Sequence, residues 1–403
     1  MDPTPRNAKI SLRPQAQGPH EVLALPREDA PLSVILKVVG ERCNLDCAYC
    51  YEKRKPYDGS RLLRPEIVRA FLEKIGPRAL SVELHGGEPL LAPMETIRAI
   101  LAELRRHPRP VALRMQTNAT LLTPEWLDLF AAEWPDLQMG VSLDGDLAAN
   151  DLRLDLTGGS SHSAAEHALG LLADREMEVG VIAVVTRGRL GHADELLRYF
   201  ASLRCVRVVK LAPCFDFGVT QGEGPWRAST TRSLMLRAVD SRMPWAITPR
   251  EFSSFLLDAW RAFRDLQLHR RFLLEPHASV IRALHGRPTA DCHFSSHKCA
   301  HVLTLYPDGR VGTCDELERP SAILGAVEAM DRALDQAERW RRSAVAAEVE
   351  PLLRRCQECT HRATCGGGCL ASRLRLEAIG LGDEYCWHRK ELIDHVARDL
   401  DLA

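Results

Sequence analysis

Eleven of the thirteen cysteines in this chain fall into two groups, and grouped thiols are a metal-binding pattern. Cys43, Cys47 and Cys50 form a C-x3-C-x2-C run. Cys292, Cys299, Cys314, Cys356, Cys359, Cys365, Cys369 and Cys386 share the last third. Cys205 and Cys214 stand apart and read as buried thiols. Residues 1–31 are polar and proline-bearing, without the apolar segment of a secretory signal. That predicts a cytoplasmic protein with reduced thiols, available to metal rather than to disulfides. Iron–sulfur clusters are usually held by four thiolates. A trio leaves one iron open, as a catalytic zinc site leaves a position for substrate. Zinc is the alternative for both groups, because Cys356-x2-Cys359 with His361 and His388 nearby is also zinc-like.

The trio needs a scaffold, and apolar periodicity supplies one. Strand-like runs lie at 34–39, 80–85, 111–116, 137–143, 179–186 and 206–211, with amphipathic stretches between them. Thr123-Pro124-Glu125 signals a helix start, and Arg64-Pro65-Glu66 opens another that Gly76 closes. Six strand–helix units predict an α/β fold, a partial (β/α)6 TIM-like barrel with parallel strands. Residues 213–247 read as irregular. Thr248-Pro249-Arg250-Glu251 is a capping box starting a helix to about His269. Val302–Thr313 around Pro307-Asp308-Gly309 reads as a hairpin. The expected division is an arm at 1–32, barrel at 33–240, helical bridge at 241–290, cysteine-rich domain at 291–395 and a tail at 396–403. With 53 basic and 54 acidic residues, no electrostatic nucleic-acid binding is expected. No apolar run reaches membrane-spanning length, so no membrane partner is expected.

Distinctive motifs follow the strands, where (β/α) barrels place their active residues. The trio follows the first strand. Gly86-Gly87-Glu88-Pro89 follows the second, Gln116-Thr117-Asn118 ends the third, and Ser142-Leu143-Asp144-Gly145 ends the fourth, with Arg153 beyond. Cys43-x3-Cys47-x-Tyr49-Cys50 resembles the signature of the radical S-adenosylmethionine (SAM) superfamily. Spacings from Cys299 to Cys386 resemble its SPASM domain. The resemblance implies a four-iron, four-sulfur cluster on Cys43, Cys47 and Cys50 that reductively cleaves SAM to a deoxyadenosyl radical. It implies SAM contacts from Gly86, Gly87, Glu88, Pro89, Asn118, Ser142, Asp144 and Arg153, with Glu88 taking the ammonium. It further implies two auxiliary clusters, on Cys292, Cys299, Cys314 and Cys369, and on Cys356, Cys359, Cys365 and Cys386. Asp315 matches the aspartate that serves as base in anaerobic sulfatase-maturing enzymes.

The expected function is modification of a ribosomally made precursor peptide, with flavodoxin or ferredoxin as reductant. The stretch 142–162 resembles maturases that crosslink side chains in cyclophane fashion, which is the first expectation. Oxidation of serine or cysteine to formylglycine in a sulfatase is the second. A non-enzymatic zinc or cluster-binding interaction protein is the third.

Overall fold

A computed structural model describes residues 31–54, 61–216, 242–289, 291–295, 299–317, 322–330 and 336–401. Most of the expected arm, and residues 217–241 of the irregular stretch, lie outside them. Six strands and five helices alternate first: β1 Leu32–Lys37, α1 Pro65–Ile75, β2 Leu80–His85, α2 Met94–Arg105, β3 Val111–Thr117, α3 Pro124–Glu133, β4 Gln138–Ser142, α4 His162–Asp174, β5 Val179–Val185, α5 Ala193–Ser202 and β6 Val206–Pro213. Alternate residues of β1, β2 and β5 are buried, which is why their apolar spacing was readable. Helix α1 carries proline in its first turn, and Gly76 ends it with φ 73°. Thr123 stands at the start of α3 without capping a backbone N–H.

The chain continues with α6 Pro249–Asp265, β7 Leu273–Glu275, α7 His277–Leu284, β8 Val302–Leu305, β9 Arg310–Gly312 and β10 Ile323–Ala326. Thr248 and Glu251 close the expected capping box at 3.2 and 2.7 Å. Helices α8 Gln336–Arg342, α9 Ala344–Arg354, α10 Arg362–Cys365, α11 Leu370–Ala378 and α12 Gly382–Asp399 complete the fold. The cysteine-rich region therefore holds longer helices than its turn-rich sequence suggested.

All ten strands join one sheet in the order β10-β9-β8-β1-β2-β3-β4-β5-β6-β7. The expected six-strand parallel run is extended at both edges. β7 pairs parallel with β6, and β8 pairs parallel with β1. The hairpin β8–β9 is thus hydrogen-bonded onto the barrel, with Leu36 opposite Leu305. The main core runs from barrel residues such as Val34, Leu84 and Phe200 to Leu392 and Val396 of α12. Helix α12 packs along α6, where Trp260 Nε1 donates to Asp399 at 2.5 Å. A smaller core around Trp340, Val349 and Leu370 carries Cys299, Cys314 and Cys369 on its margin.

Candidate active site

The loop after β1 holds the first three thiols. Asp46 N and Ala48 N donate to the Leu154 and Leu152 carbonyls at 2.7 and 2.9 Å, pinning the loop to the segment behind β4. Leu45 N and Asn118 Nδ2 approach Cys43 Sγ at 3.4 and 3.7 Å. Burial pushes the Cys43 thiol far up, and the negative charges of Glu88, Cys47 and Cys50 push it further. Metal coordination to the trio supplies a compensating cation and releases the thiol protons. The donor set therefore fits a thiolate-bound cluster.

These cysteines line a cavity of about 320 Å³ under the C-terminal ends of the strands. Gly86, Gly87, Gln116, Asn118, Ser142 and Arg153 share its wall. Gln116 Nε2 donates to Ser142 Oγ at 2.8 Å. Gly87 is where two backbones meet: a Cβ there would lie 2.1 Å from the Arg42 carbonyl oxygen. Its missing side chain makes room for the cysteine loop, rather than for ligand alone as the sequence suggested.

Three expected SAM contacts have other occupations. Glu88 is fully buried, off the cavity wall, and accepts from Leu90 N, Thr117 Oγ1 and Asn118 N at 3.0, 2.7 and 2.7 Å. It braces the ends of β2 and β3, so the turn offers the cavity the backbone of Gly86 and Gly87 instead of this carboxylate. Pro89 is buried and opens a short 3-10 turn away from the wall. Asp144 is buried, accepts from Val184 N at 2.9 Å and bonds the Tyr49 hydroxyl. Tyr49 in turn accepts from Arg153 Nη1 at 3.1 Å. Asp144 therefore orients Arg153 through Tyr49. Burial raises the Asp144 pKa, with Arg153 opposing it.

Asp315 lies in a buried cluster beside the cavity. Its Oδ2 accepts from Tyr51 OH at 3.2 Å and lies 3.4 Å from Lys37 Nζ and 3.5 Å from His85 Nδ1. Lys37 Nζ also meets Glu52 Oε1 at 2.5 Å. Glu52, His85 and Asp315 present ligand atoms close together. The Lys37 ammonium lies between the two carboxylates and offsets one of their charges. Tyr51, Glu52 and His85 line the cavity, whereas Asp315 does not; Glu316 does. Burial first, then Asp315 and Glu52, push the Tyr51 hydroxyl far above its usual range, so it stays a donor.

The C-terminal cysteines have two sets of near neighbours. Cys314 feels the charges of Cys299 and Cys292. Cys369 shares the small core's margin with Cys299 and Cys314. Cys386 instead feels Cys356 and Cys365, and Cys359 N donates to the Cys356 carbonyl at 3.2 Å. Gly366, Gly367 and Gly368 all have positive φ, which folds the chain sharply between Cys365 and Cys369. Both histidines of the zinc alternative are engaged elsewhere. His361 meets Asp394 at 2.7 Å. His388 packs between Phe252 and Tyr385, and burial pushes its pKa down to about 3. Cys205 and Cys214 are buried, the latter at the cavity wall.

Residues 38–207 match the model of the Radical SAM superfamily. That segment is a Radical SAM domain. A serine-type anaerobic sulfatase-maturating enzyme of Klebsiella aerogenes is 27% identical over 366 residues, covering 86% of this chain and 82% of the relative. A cysteine-type enzyme of Clostridium perfringens is 22% identical over 384 residues, covering 91% and 96%. The solved structure of native anSMEcpe with bound AdoMet and Cp18Cys peptide superposes with a TM-score of 0.71 at 21% identity, covering 92% of this chain and 98% of that one. Streptococcus suis SuiB bound to S-adenosylmethionine gives 0.54 at 13%, covering 86% and 75%. These two likenesses speak to the fold.

A Radical SAM domain implies a four-iron, four-sulfur cluster and SAM. Two residues of the Asp315 cluster, Lys37 and the wall residue His85, escaped the sequence reading. They are the last residues of β1 and β2, and in the sequence they looked like ordinary strand residues. Their shared signal was position, since the strand end before each motif is where a barrel builds its site. No helix among the described residues is long and apolar enough to cross a membrane.

Proposed function

We propose that the chain is a peptide maturase that oxidises a serine or cysteine side chain of a polypeptide substrate to an aldehyde, working in the cytoplasm with a flavodoxin- or ferredoxin-like reductant. One observation carries the reading: a single cavity is lined by Cys43, Cys47 and Cys50 and also by residues beside Asp315 and the C-terminal cysteines, among them Glu316, His293 and Ser372. Relatives whose names state sulfatase maturation align over most of the chain, on both sides of that cavity. Cys43, Cys47 and Cys50 would hold the SAM-binding cluster, with the eight C-terminal cysteines holding two more. When bound, these groups supply a carbon radical that removes one hydrogen atom and acceptors for one further electron.

The protein's own part is proton handling and placement. A serine Cβ that has lost a hydrogen atom becomes an aldehyde by losing one electron and its hydroxyl proton. Asp315 is the acceptor for that proton, reached through Tyr51 or His85 at the wall. Lys37, held between Glu52 and Asp315, keeps the carboxylate charged and ready. Arg153, steadied by Tyr49 and Asp144, is placed for a carboxylate of the cofactor. A cyclophane-type crosslink is the second reading, favoured by the resemblance in 142–162. It needs the same first step. In the structure part of that stretch is scaffolding, with Asn150 donating to Ser161 and Ser161 to the Arg153 carbonyl at 3.2 and 2.6 Å.

Anaerobically reconstituted protein, with iron near twelve atoms per chain as about three four-iron clusters require, is incubated with SAM, dithionite and a co-encoded peptide. Deoxyadenosine release and a hydrazide-reactive product support the aldehyde. Loss of two hydrogens without hydrazide reactivity moves the assignment to the crosslink. Colourless zinc protein ends both. Cys43→Ala is expected to abolish deoxyadenosine release.

A further inference from the structure

Two arginines inside the cysteine-rich domain are buried against sulfur. Arg373 and Arg389 are each 4% exposed. Arg373 Nη1 donates to Cys356 Sγ at 3.2 Å and to the Gly367 carbonyl at 3.1 Å, while Nη2 donates to the Leu352 carbonyl at 2.8 Å. Among the described residues it makes no ion pair with a carboxylate. Arg389 Nε donates to Cys365 Sγ at 3.4 Å, and Nη2 donates to the His293 and Cys365 carbonyls at 3.0 Å. Its guanidinium also lies 3.8 Å over the Phe294 ring, which fixes its plane.

A guanidinium is always charged, and a buried charge without a counter-ion costs several kcal/mol. Carbonyl dipoles soften that cost but carry no net charge. Asp291 acts on Arg389 from nearby, whereas for Arg373 four thiolates around a metal cluster would supply the missing anion. The other cysteine group has mixed surroundings: Asp315 and Glu316 add negative charge at Cys314, while Cys369 meets both Glu316 and Arg375, and Lys210 lies near Cys292. Charge and hydrogen bonds at ligating sulfur set the reduction potential of an iron–sulfur cluster. A nearby cation favours the reduced, more negative form and raises the potential, while carboxylates lower it.

We propose that Arg373 and Arg389 are positioning residues that raise the potential of a cluster held by Cys356, Cys359, Cys365 and Cys386. This rests on the cluster assignment in the proposed function. The cation and the donated hydrogen bonds act together, so substitutions separate them.

The test is a redox titration followed by electron paramagnetic resonance, on the full-length chain reconstituted anaerobically. It is run with Cys43, Cys47 and Cys50 intact and replaced by alanine, so that the N-terminal signal can be subtracted. Arg373→Gln and Arg389→Gln are expected to shift one auxiliary midpoint potential downward and leave the other in place. Arg373→Lys, which keeps the charge, is expected to shift it less. Normal iron with both potentials unmoved in the glutamine variants overturns the inference and leaves the cluster assignment standing. A lysine variant shifted further than the glutamine variant overturns it too. If Arg373→Gln loses iron, retention by Arg373→Lys supports the charge role, and loss from both assigns the arginine to packing and overturns it. Zinc in place of iron in the unsubstituted protein overturns the inference and the cluster assignment together.

Discussion

Gly87→Ala isolates the contact between the β2 turn and the cysteine loop. The new Cβ would stand 2.1 Å from the Arg42 carbonyl oxygen, 2.3 Å from its carbon and 2.6 Å from the Glu41 oxygen. All three are backbone atoms, so no side chain can swing away. Relief requires the loop to withdraw by about 1 Å, which is the overpacking case costing about 1–3 kcal/mol. Withdrawal also strains two cross-loop bonds at 2.9 Å, from Gly87 N to the Gly40 carbonyl and from Glu88 N to that of Arg42. Each contributes about 1 kcal/mol. Cys43 follows Arg42 directly, so the same movement reaches the first thiol. A 1 Å misplacement of reacting groups can cost about 100-fold in rate. Gly140→Ala is the control: its Cβ would meet Gln116 Oε1 at 2.3 Å, the far end of a flexible side chain. We expect Gly87→Ala to lose about 2–5 kcal/mol of stability and to cleave SAM about 100-fold more slowly. Gly140→Ala should lose about 1 kcal/mol, through the Gln116–Ser142 bond. Denaturant melts, iron content and deoxyadenosine release measure this. Gly87→Ala protein with parental iron and turnover would refute the contact's role in placing Cys43.

Asp315→Asn keeps shape and removes the proton acceptor, so deoxyadenosine should form at the parental rate while modified peptide falls about 100-fold; equal peptide yield, read by mass spectrometry, removes Asp315 from proton transfer. Tyr49→Phe deletes the hydroxyl between Asp144 and Arg153, and should weaken SAM binding about tenfold, or about 1.4 kcal/mol, with iron content unchanged. Equilibrium binding checks this, and unchanged affinity frees Arg153 from that bridge. His277 is buried against Trp260, its Nε2 donates to the Leu256 carbonyl at 3.0 Å, and burial pushes its pKa from 6.5 down to about 4. The unfolded chain binds that proton first, so the stability is fully present above pH 6.5 and is lost as pH falls toward 4, by about 3 kcal/mol. His277→Gln should flatten that acid limb of a pH-stability curve; an unchanged slope assigns the loss to other groups.

The sequence exposed the barrel because its strands alternate buried and half-buried residues over five or more positions. β7 and β10 went unread for the same reason in reverse. Three residues of β7 cannot establish a period, and all four residues of β10 are half-buried. The cysteines were legible because thiols in groups are rare, but spacing alone could not pair them: Cys369 is near Cys365 in sequence yet shares the small core's margin with Cys299 and Cys314. Glu88 and Asp144 were legible as important but not in role. A carboxylate beside a glycine turn has the same sequence whether it faces a ligand or caps neighbouring protein donors, and only the three donors to Glu88 at 2.7–3.0 Å separate the two. Arg373 was invisible, because Ser372-Arg373-Leu374-Arg375 reads as an ordinary amphipathic helix with both arginines in solvent.

Register is what joins the two cysteine groups into one site. β8 pairs with β1 so that Leu305 lies opposite Leu36, and β9 returns antiparallel with Leu305 opposite Val311. That places Cys314 and Asp315, just past β9, beside Lys37 at the end of β1. The 3.4 Å contact between Lys37 and Asp315 spans 278 residues of sequence, yet the two strand pairings largely determine it. A shift of one residue in the β8–β1 register would turn Leu303 and Leu305 to the opposite face of the sheet. The apolar pattern of β8 thus fixes how the candidate proton acceptor meets the cavity. The cysteine-rich domain is built into the barrel's sheet rather than tethered to it, which lets a buried lysine on β1 hold a carboxylate that belongs to the other end of the chain.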